Sequence, residues 1–214
     1  MFEMKYGYFT KAALLVVGSA LLTLPTAAHA QIVYNESVAG DLSNSATVPT
    51  LLEILETTTI IGSAGGDDTQ DFFVITVPVG FLLSGYTNTL FNSPSGDGAG
   101  FTGFTSGTGF SGNLFDPSSY MGYAHFGVTV FNGELPETNL VGVNLLPLMS
   151  DPSIAQGATG FTNPLGAGTY TFLIQQRGES TEYRFALSMV LIPAPGSIAL
   201  LGLGGLVVAR RRRS

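Results

Sequence analysis

The stretch Gly166-Ala-Gly-Thr-Tyr-Thr-Phe-Leu-Ile-Gln-Gln176 is followed, after Arg177-Gly-Glu-Ser180, by Thr181-Glu-Tyr-Arg-Phe-Ala-Leu-Ser-Met-Val190. Its reading sets the fold class. Tyr170, Phe172 and Ile174 alternate with Thr171, Leu173 and Gln175. Tyr183, Phe185, Leu187 and Met189 alternate with Arg184, Ala186 and Ser188. A period of two is that of a β-strand and gives each run one apolar face. The turn residues between them predict a hairpin of two adjacent antiparallel strands.

Upstream, Asp67-Asp-Thr-Gln-Asp71 leads into Phe72-Phe-Val-Ile-Thr-Val-Pro78. Phe73, Ile75 and Val77 point one way; Phe72, Val74 and Thr76 point the other. Two mostly apolar faces suit the centre of a sandwich. Pro78-Val-Gly80 turns the chain into a strand at 81–88, as a hairpin or as a pair that changes sheet. Before this, Tyr34–Ser45 reads as a leading strand plus turn. Residues 50–56 read as one helical turn or a short strand, the β-branched run Thr57–Ile61 favours strand, and Gly62–Gly66 reads as a turn. After it, Gly100-Phe-Thr-Gly, Phe104-Thr-Ser-Gly and Gly109-Phe-Ser-Gly112 form a loose repeat. That repeat is either strand and turn with phenylalanines in the core, or an aromatic surface that adheres to polymer. Residues 120–131 read as strand with a break at Gly127, Asn132-Gly133 as a hairpin-type turn, 139–146 as a short strand, and 149–156 as loop with or without one helical turn after Pro152.

About eight strands with Gly/Pro turns and no long amphipathic helix define an all-β body, an antiparallel β-sandwich or jelly roll over residues 31–191. Asp68-Thr-Gln-Asp-Phe-Phe-Val-Ile-Thr-Val-Pro-Val-Gly80 and Leu165-Gly-Ala-Gly-Thr-Tyr-Thr-Phe-Leu-Ile-Gln175 resemble two patches of the bacterial pre-peptidase C-terminal (PPC-like) β-sandwich. That family has an Asp-x-Asp-x-Phe-x-Phe-x-Val-x-x-Gly strand and a late Gly-x-Tyr-x-Phe hairpin. The resemblance implies a non-catalytic module of a secreted protein.

The two ends of the 214-residue chain give an address. Lys5 and Lys11 precede the apolar run Ala12–Leu24, Pro25 ends it, and Ala28-His-Ala30 has the small residues that signal peptidase requires. Residues 1–30 therefore read as a secretory signal peptide, with the mature chain beginning at Gln31. At the other end, residues 192–214 hold Pro193-Ala194-Pro195-Gly196-Ser197, then the uncharged run Gly196–Ala209, then Arg210-Arg211-Arg212-Arg213. Fourteen residues make a helix of about 21 Å. That is short of the roughly 20 residues a span needs, so the segment reads as a short transmembrane helix with snorkelling arginines. The positive-inside rule keeps the arginines cytoplasmic and the body outside. This tripartite end resembles the PEP-CTERM sorting signal, also named the ice-binding protein C-terminal domain, with Ala194 where the family has glutamate. The resemblance implies a Gram-negative exporter and cleavage near the motif by exosortase, a membrane cysteine peptidase. The body would then be released to the cell surface or exopolysaccharide matrix.

Charge narrows the partners. Of fifteen acidic residues only Glu3 lies outside the body, and of eight basic ones only Arg177 and Arg184 lie inside it. Fourteen acids against two bases give the body a net −12, which repels nucleic acid and anionic lipid. With no cysteine there is no disulfide, catalytic thiol or thiolate metal site.

Asp67, Asp68 and Asp71 cluster at a loop-to-strand junction and could hold calcium, which takes six to eight oxygens. The alternative is a solvated turn, and no other cofactor is expected. His125, the lone histidine of the mature chain, sits in a strand between Ala124 and Phe126 and reads as packed structure. No Gly-x-Ser-x-Gly elbow accompanies it. Carbohydrate binding would fall to Tyr34, Tyr86, Tyr120 and Tyr123, since tryptophan is absent. The sequence thus reads as a non-catalytic exported protein. Its expected partners are signal peptidase, an exosortase-type peptidase, and the membrane through its C-terminal helix before processing. A neutral-polysaccharide-binding module is the second reading and a secreted hydrolase the third.

Overall fold

A computed structural model describes residues 32–94, 98–131, 133 and 137–193. The expected signal peptide with Ala28, Ala30 and Gln31, the expected sorting motif beyond Pro193, and Arg210–Arg213 lie outside the described residues, as does Asn132. No helix among the described residues is long and apolar enough to cross a membrane.

The body is a β-sandwich. Its four-stranded sheet has the order β1 (Ile32–Asn35), β3 (Thr57–Ala64), β9 (Thr181–Leu191), β5 (Phe81–Asn92). Its five-stranded sheet has the order β2 (Thr50–Leu51), β4 (Gln70–Val77), β8 (Gly168–Gln175), β6 (Ala99–Ser106), β7 (Gly122–Gly127). Most pairings are antiparallel, as expected, but β1 runs parallel to β3 and β2 parallel to β4. Of residues 50–56 only Thr50–Leu51 is strand, and 52–56 are irregular rather than helical.

Strand alternation is as read. Phe73, Ile75 and Val77 join Tyr170, Phe172 and Ile174 of their own sheet and Tyr183, Phe185 and Leu187 of the facing sheet in one core. Phe172 stacks on Phe73 and on Phe104, with ring centroids 5.2 and 5.0 Å away, and Tyr86 bridges it to Phe185 across the interior. Offset and tilted aromatic contacts of this kind add to the area they bury. β4 and β5 change sheet, the second of the two readings given for that pair.

The hairpin expected at residues 169–190 is not formed. β8 pairs with β4 and β6, whereas β9 pairs with β3 and β5 in the other sheet. The apolar faces of β8 and β9 do meet, but across the sandwich interior rather than side by side. Periodicity reports which face is apolar; it is silent on which strand supplies the neighbouring hydrogen bonds. The second face of each strand separates the cases. Thr171, Leu173 and Gln175 on β8 are buried, whereas Glu182 and Arg184 on β9 are exposed.

Two further expectations are corrected. Gly62 belongs to β3, and the turn comes later, at Gly65 and Gly66, whose φ values of 119° and 66° suit glycine. Residues 139–146 do not form a strand. Asn144 instead caps the irregular edge of β5. Its Oδ1 accepts from Tyr86 N–H at 3.0 Å and its Nδ2 donates to Ser84 O at 2.8 Å. The helix α2 (Leu146–Ser150) follows, with proline in its first turn and Leu146 and Met149 buried.

Candidate functional site: a carboxylate cluster between the sheets

The site is built by the first segment of the body. β1 lies along β3, pairing Asn35 with Ile61. Asn35 then caps a single helical turn, α1 (Glu36–Ala39), its side chain accepting from Ser37 N–H at 3.0 Å. Gly40, at φ 94°, ends the turn, and its carbonyl accepts from the Tyr34 hydroxyl at 2.9 Å. The chain then crosses to the other sheet: Leu42 is buried, and Ser43 O accepts from Phe72 N–H at 2.7 Å. This strap therefore joins the edge of one sheet to the edge of the other.

Along it, Glu36 and Asp41 meet Asp71 of β4. The three carboxylates offer oxygens that all lie within 4.8 Å of one another. Asp71 is fully buried. Its Oδ2 accepts from the Tyr183 hydroxyl at 2.8 Å, and that hydroxyl also lies 3.2 Å from Glu36 Oε1. One phenolic hydrogen serves both carboxylates. Glu36 additionally accepts from Ser63 N–H at 2.8 Å and Leu42 N–H at 3.4 Å. The space exists because residue 62 is glycine: a Cβ there would come within 2.5 Å of the Glu36 carboxyl and the Tyr183 hydroxyl.

The electrostatics are one-sided. Burial, then the neighbouring Glu36, push the Asp71 carboxyl up to about 9. Burial and the charge of Asp41 push Asp68 up to about 6. Glu36 is raised by burial against the pull of its backbone hydrogen bonds. Every charge acting on Asp71 is another carboxylate. Asp71 Oδ1 and Asp68 Oδ1 are both buried without a hydrogen-bond partner, which is costly in a low-dielectric site.

An all-oxygen donor set fits a hard cation such as calcium, which accepts carboxylate oxygens in flexible geometry. No imidazole or thiolate joins the cluster, so the donor chemistry is not that of a zinc site. Of the expected trio, Asp71 is central, Asp68 adjoins Asp41, and Asp67 is exposed and outside the cluster. Glu36 and Asp41 were not anticipated.

The other sequence candidates fall elsewhere. Tyr86 and Tyr120 are buried in the body. Tyr34 and Tyr123 are half-buried, and the Tyr123 hydroxyl donates to Gln156 O at 2.8 Å. His125 stands on the outer face of β7, its ring edge-on to Phe101 at 5.6 Å. It lines a shallow groove with Phe101, Leu114, Gln175, Gln176 and Arg177. Phe104 and Phe110 of the repeat are core residues, whereas Phe101 stays partly open.

No protein-family model matches the sequence, and no curated protein matches it. Among solved structures, the chain is similar to the pre-peptidase C-terminal domain of a collagenase from Bacillus anthracis. The two share 15% identity at a TM-score of 0.31, over 66% of this chain and 93% of that one. The sandwich described above rests on its own strand pairing.

Proposed function

We propose that this chain is an exported, non-catalytic β-sandwich protein, delivered to the cell surface or exopolysaccharide matrix by a signal peptide and a PEP-CTERM-type sorting segment. The observation that carries this reading is the partition of charge. Two apolar segments, each flanked by basic residues, bracket a body of fourteen acids and two bases. Signal peptidase and an exosortase-type peptidase would be its processing partners, with the C-terminal helix holding the intermediate in the membrane. Fractionation followed by mass spectrometry of the native termini tests it. The expected mature form begins at Gln31 and lacks Arg210–Arg213; recovery of a mature form that keeps those arginines would argue against processing.

One observation adds calcium to this reading. Asp71 is fully buried, carries an unpartnered oxygen, and faces two more carboxylates. A divalent cation would replace repulsion with coordination and staple the strap across both sheets. Extracellular modules bind calcium in roughly the 10⁻⁴–10⁻³ M range. Millimolar calcium should therefore raise the melting temperature of the purified protein, and an unchanged melting curve would remove calcium from the reading.

A further inference from the structure

We propose that the outer face of the five-stranded sheet carries a binding groove for a neutral polysaccharide. The groove starts from a register. Gln175 of β8, Phe101 of β6 and His125 of β7 lie directly opposite one another, so an amide, a phenyl ring and an imidazole form one row across three strands. Ala99 and the backbone of Gly100, whose missing side chain would meet Phe126 in the interior, line the space beside that row. Arg177, leaving β8, forms the rim, with Gln176 buried beneath it and hydrogen-bonded to Thr181. The resulting hollow has a volume of about 310 Å³, at the lower bound of small-ligand sites, which run roughly 300–1,000 Å³. A second, more apolar hollow of about 130 Å³ continues from it, sharing Phe101 and Leu114 and adding Phe115 and Tyr123.

The aromatic platform is held in place. Phe101 packs against Tyr120, Tyr123 and His125 at 5.6–5.8 Å between ring centroids, and Tyr123 is tethered through its hydroxyl. Phe115 is 77% exposed, with the Arg177 guanidinium 5.2 Å from its ring centroid. Rigid aromatic area costs little entropy to present to a ligand.

The chemistry selects the occupant. Aromatic faces offer apolar contact to the C–H faces of a sugar ring, and Gln175 and Arg177 offer donors and acceptors to its hydroxyls. The described lining residues include no carboxylate and a single cation. Set in a body of net charge −12, one arginine does not suffice to hold a polyanion, and a neutral chain meets no such penalty. A strand-forming peptide gains most of its affinity by pairing along a free strand edge, whereas this row runs across β8, β6 and β7, transverse to any edge. The inference does not depend on the sorting signal, because binding is measured on purified protein and export in cells.

The test is affinity electrophoresis of the full-length chain in a sugar-free detergent. The gels contain a β-1,4-glucan, a β-1,3-glucan, an α-glucan or a mannan, with alginate as the anionic comparison. At least one neutral polymer should retard the protein and alginate should not. Phe115→Ala and Arg177→Ala, both at the surface, should each weaken that retardation about tenfold. Arg184→Ala removes the same charge from the other sheet and should leave it unchanged. Absence of retardation by all four neutral polymers overturns the proposal. So does retardation by alginate alone, retardation that both groove variants retain, or an equal loss in Arg184→Ala.

Discussion

On β9, in the four-stranded sheet, the residues between the core positions are Glu182, Arg184, Ala186 and Ser188, open or half-open to water. On β8, in the five-stranded sheet, the equivalent positions are Thr171, Leu173 and Gln175, all buried. The chain between β6 and β7 folds back over that second face. Phe110 and Tyr120 pack on Phe72 and Leu173 as a separate small core, and Phe110 N–H donates to Ala46 O at 2.7 Å. One sheet therefore has a single working face and the other has two. The difference teaches where binding can evolve: a covered face supplies walls and a floor, and a solvated one supplies neither.

Substitutions can break or sharpen that contrast. The largest loss is expected at Phe172, which faces the shared interior. Phe172→Ala should cost about 3–5 kcal/mol in chemical denaturation. Phe110→Ala, in the outer core, should cost less, roughly 2–3 kcal/mol, because a surface loop collapses onto a void more readily than two sheets do. Equal losses at the two sites would mean that the covering loop is as integral as the sandwich.

The carboxylate cluster belongs to neither face, and its effect is conditional on pH. Asp71 and Asp68 have folded-state values raised above the ordinary 3.8, so the folded chain holds those protons more tightly than the unfolded chain. Their contribution is complete below about pH 4. It is lost as pH climbs through about 6 for Asp68 and about 9 for Asp71. Without calcium, the melting temperature should therefore fall between pH 5 and pH 8; with calcium, the slope should flatten. Asp71→Asn keeps an acceptor for the Tyr183 hydroxyl and removes the need to take up a proton on folding. It should stabilise the metal-free protein at neutral pH by several degrees and abolish the gain from calcium. The smallest effect is expected on the solvated face, where Arg184→Ala should change stability by no more than about 0.5 kcal/mol.

Much of the interior was legible in the sequence because alternation states which side of a strand is greasy. Phe73, Ile75 and Val77 point inward as their spacing implies. Neighbour identity was not legible. Tyr170-x-Phe172 and Tyr183-x-Phe185 carry matched patterns whether they lie side by side or face to face, and five intervening residues suffice to cross between sheets. The site was half legible. Asp68 and Asp71 announce themselves by clustering, but Glu36 and Asp41 reach them only because β1 lies parallel to β3, a pairing that leaves no local signature. Gly62 reads as a turn residue. Its role is to keep a Cβ away from the Glu36 carboxyl and the Tyr183 hydroxyl, which only the assembled site reveals. In the groove, Phe101 stands out in its repeat, whereas Phe115 gains meaning only when Arg177 is brought over it.

The position of β9 bears on how such a body is made. It is the last strand among the described residues, yet it lies between β3 and β5, which have no ladder to each other. A chain made amino-end first cannot complete its four-stranded sheet until residue 191 has emerged. Sheets closed by so distant a partner form slowly. During that interval β3 and β5 expose unpaired edges, and those edges are what a chaperone would have to cover.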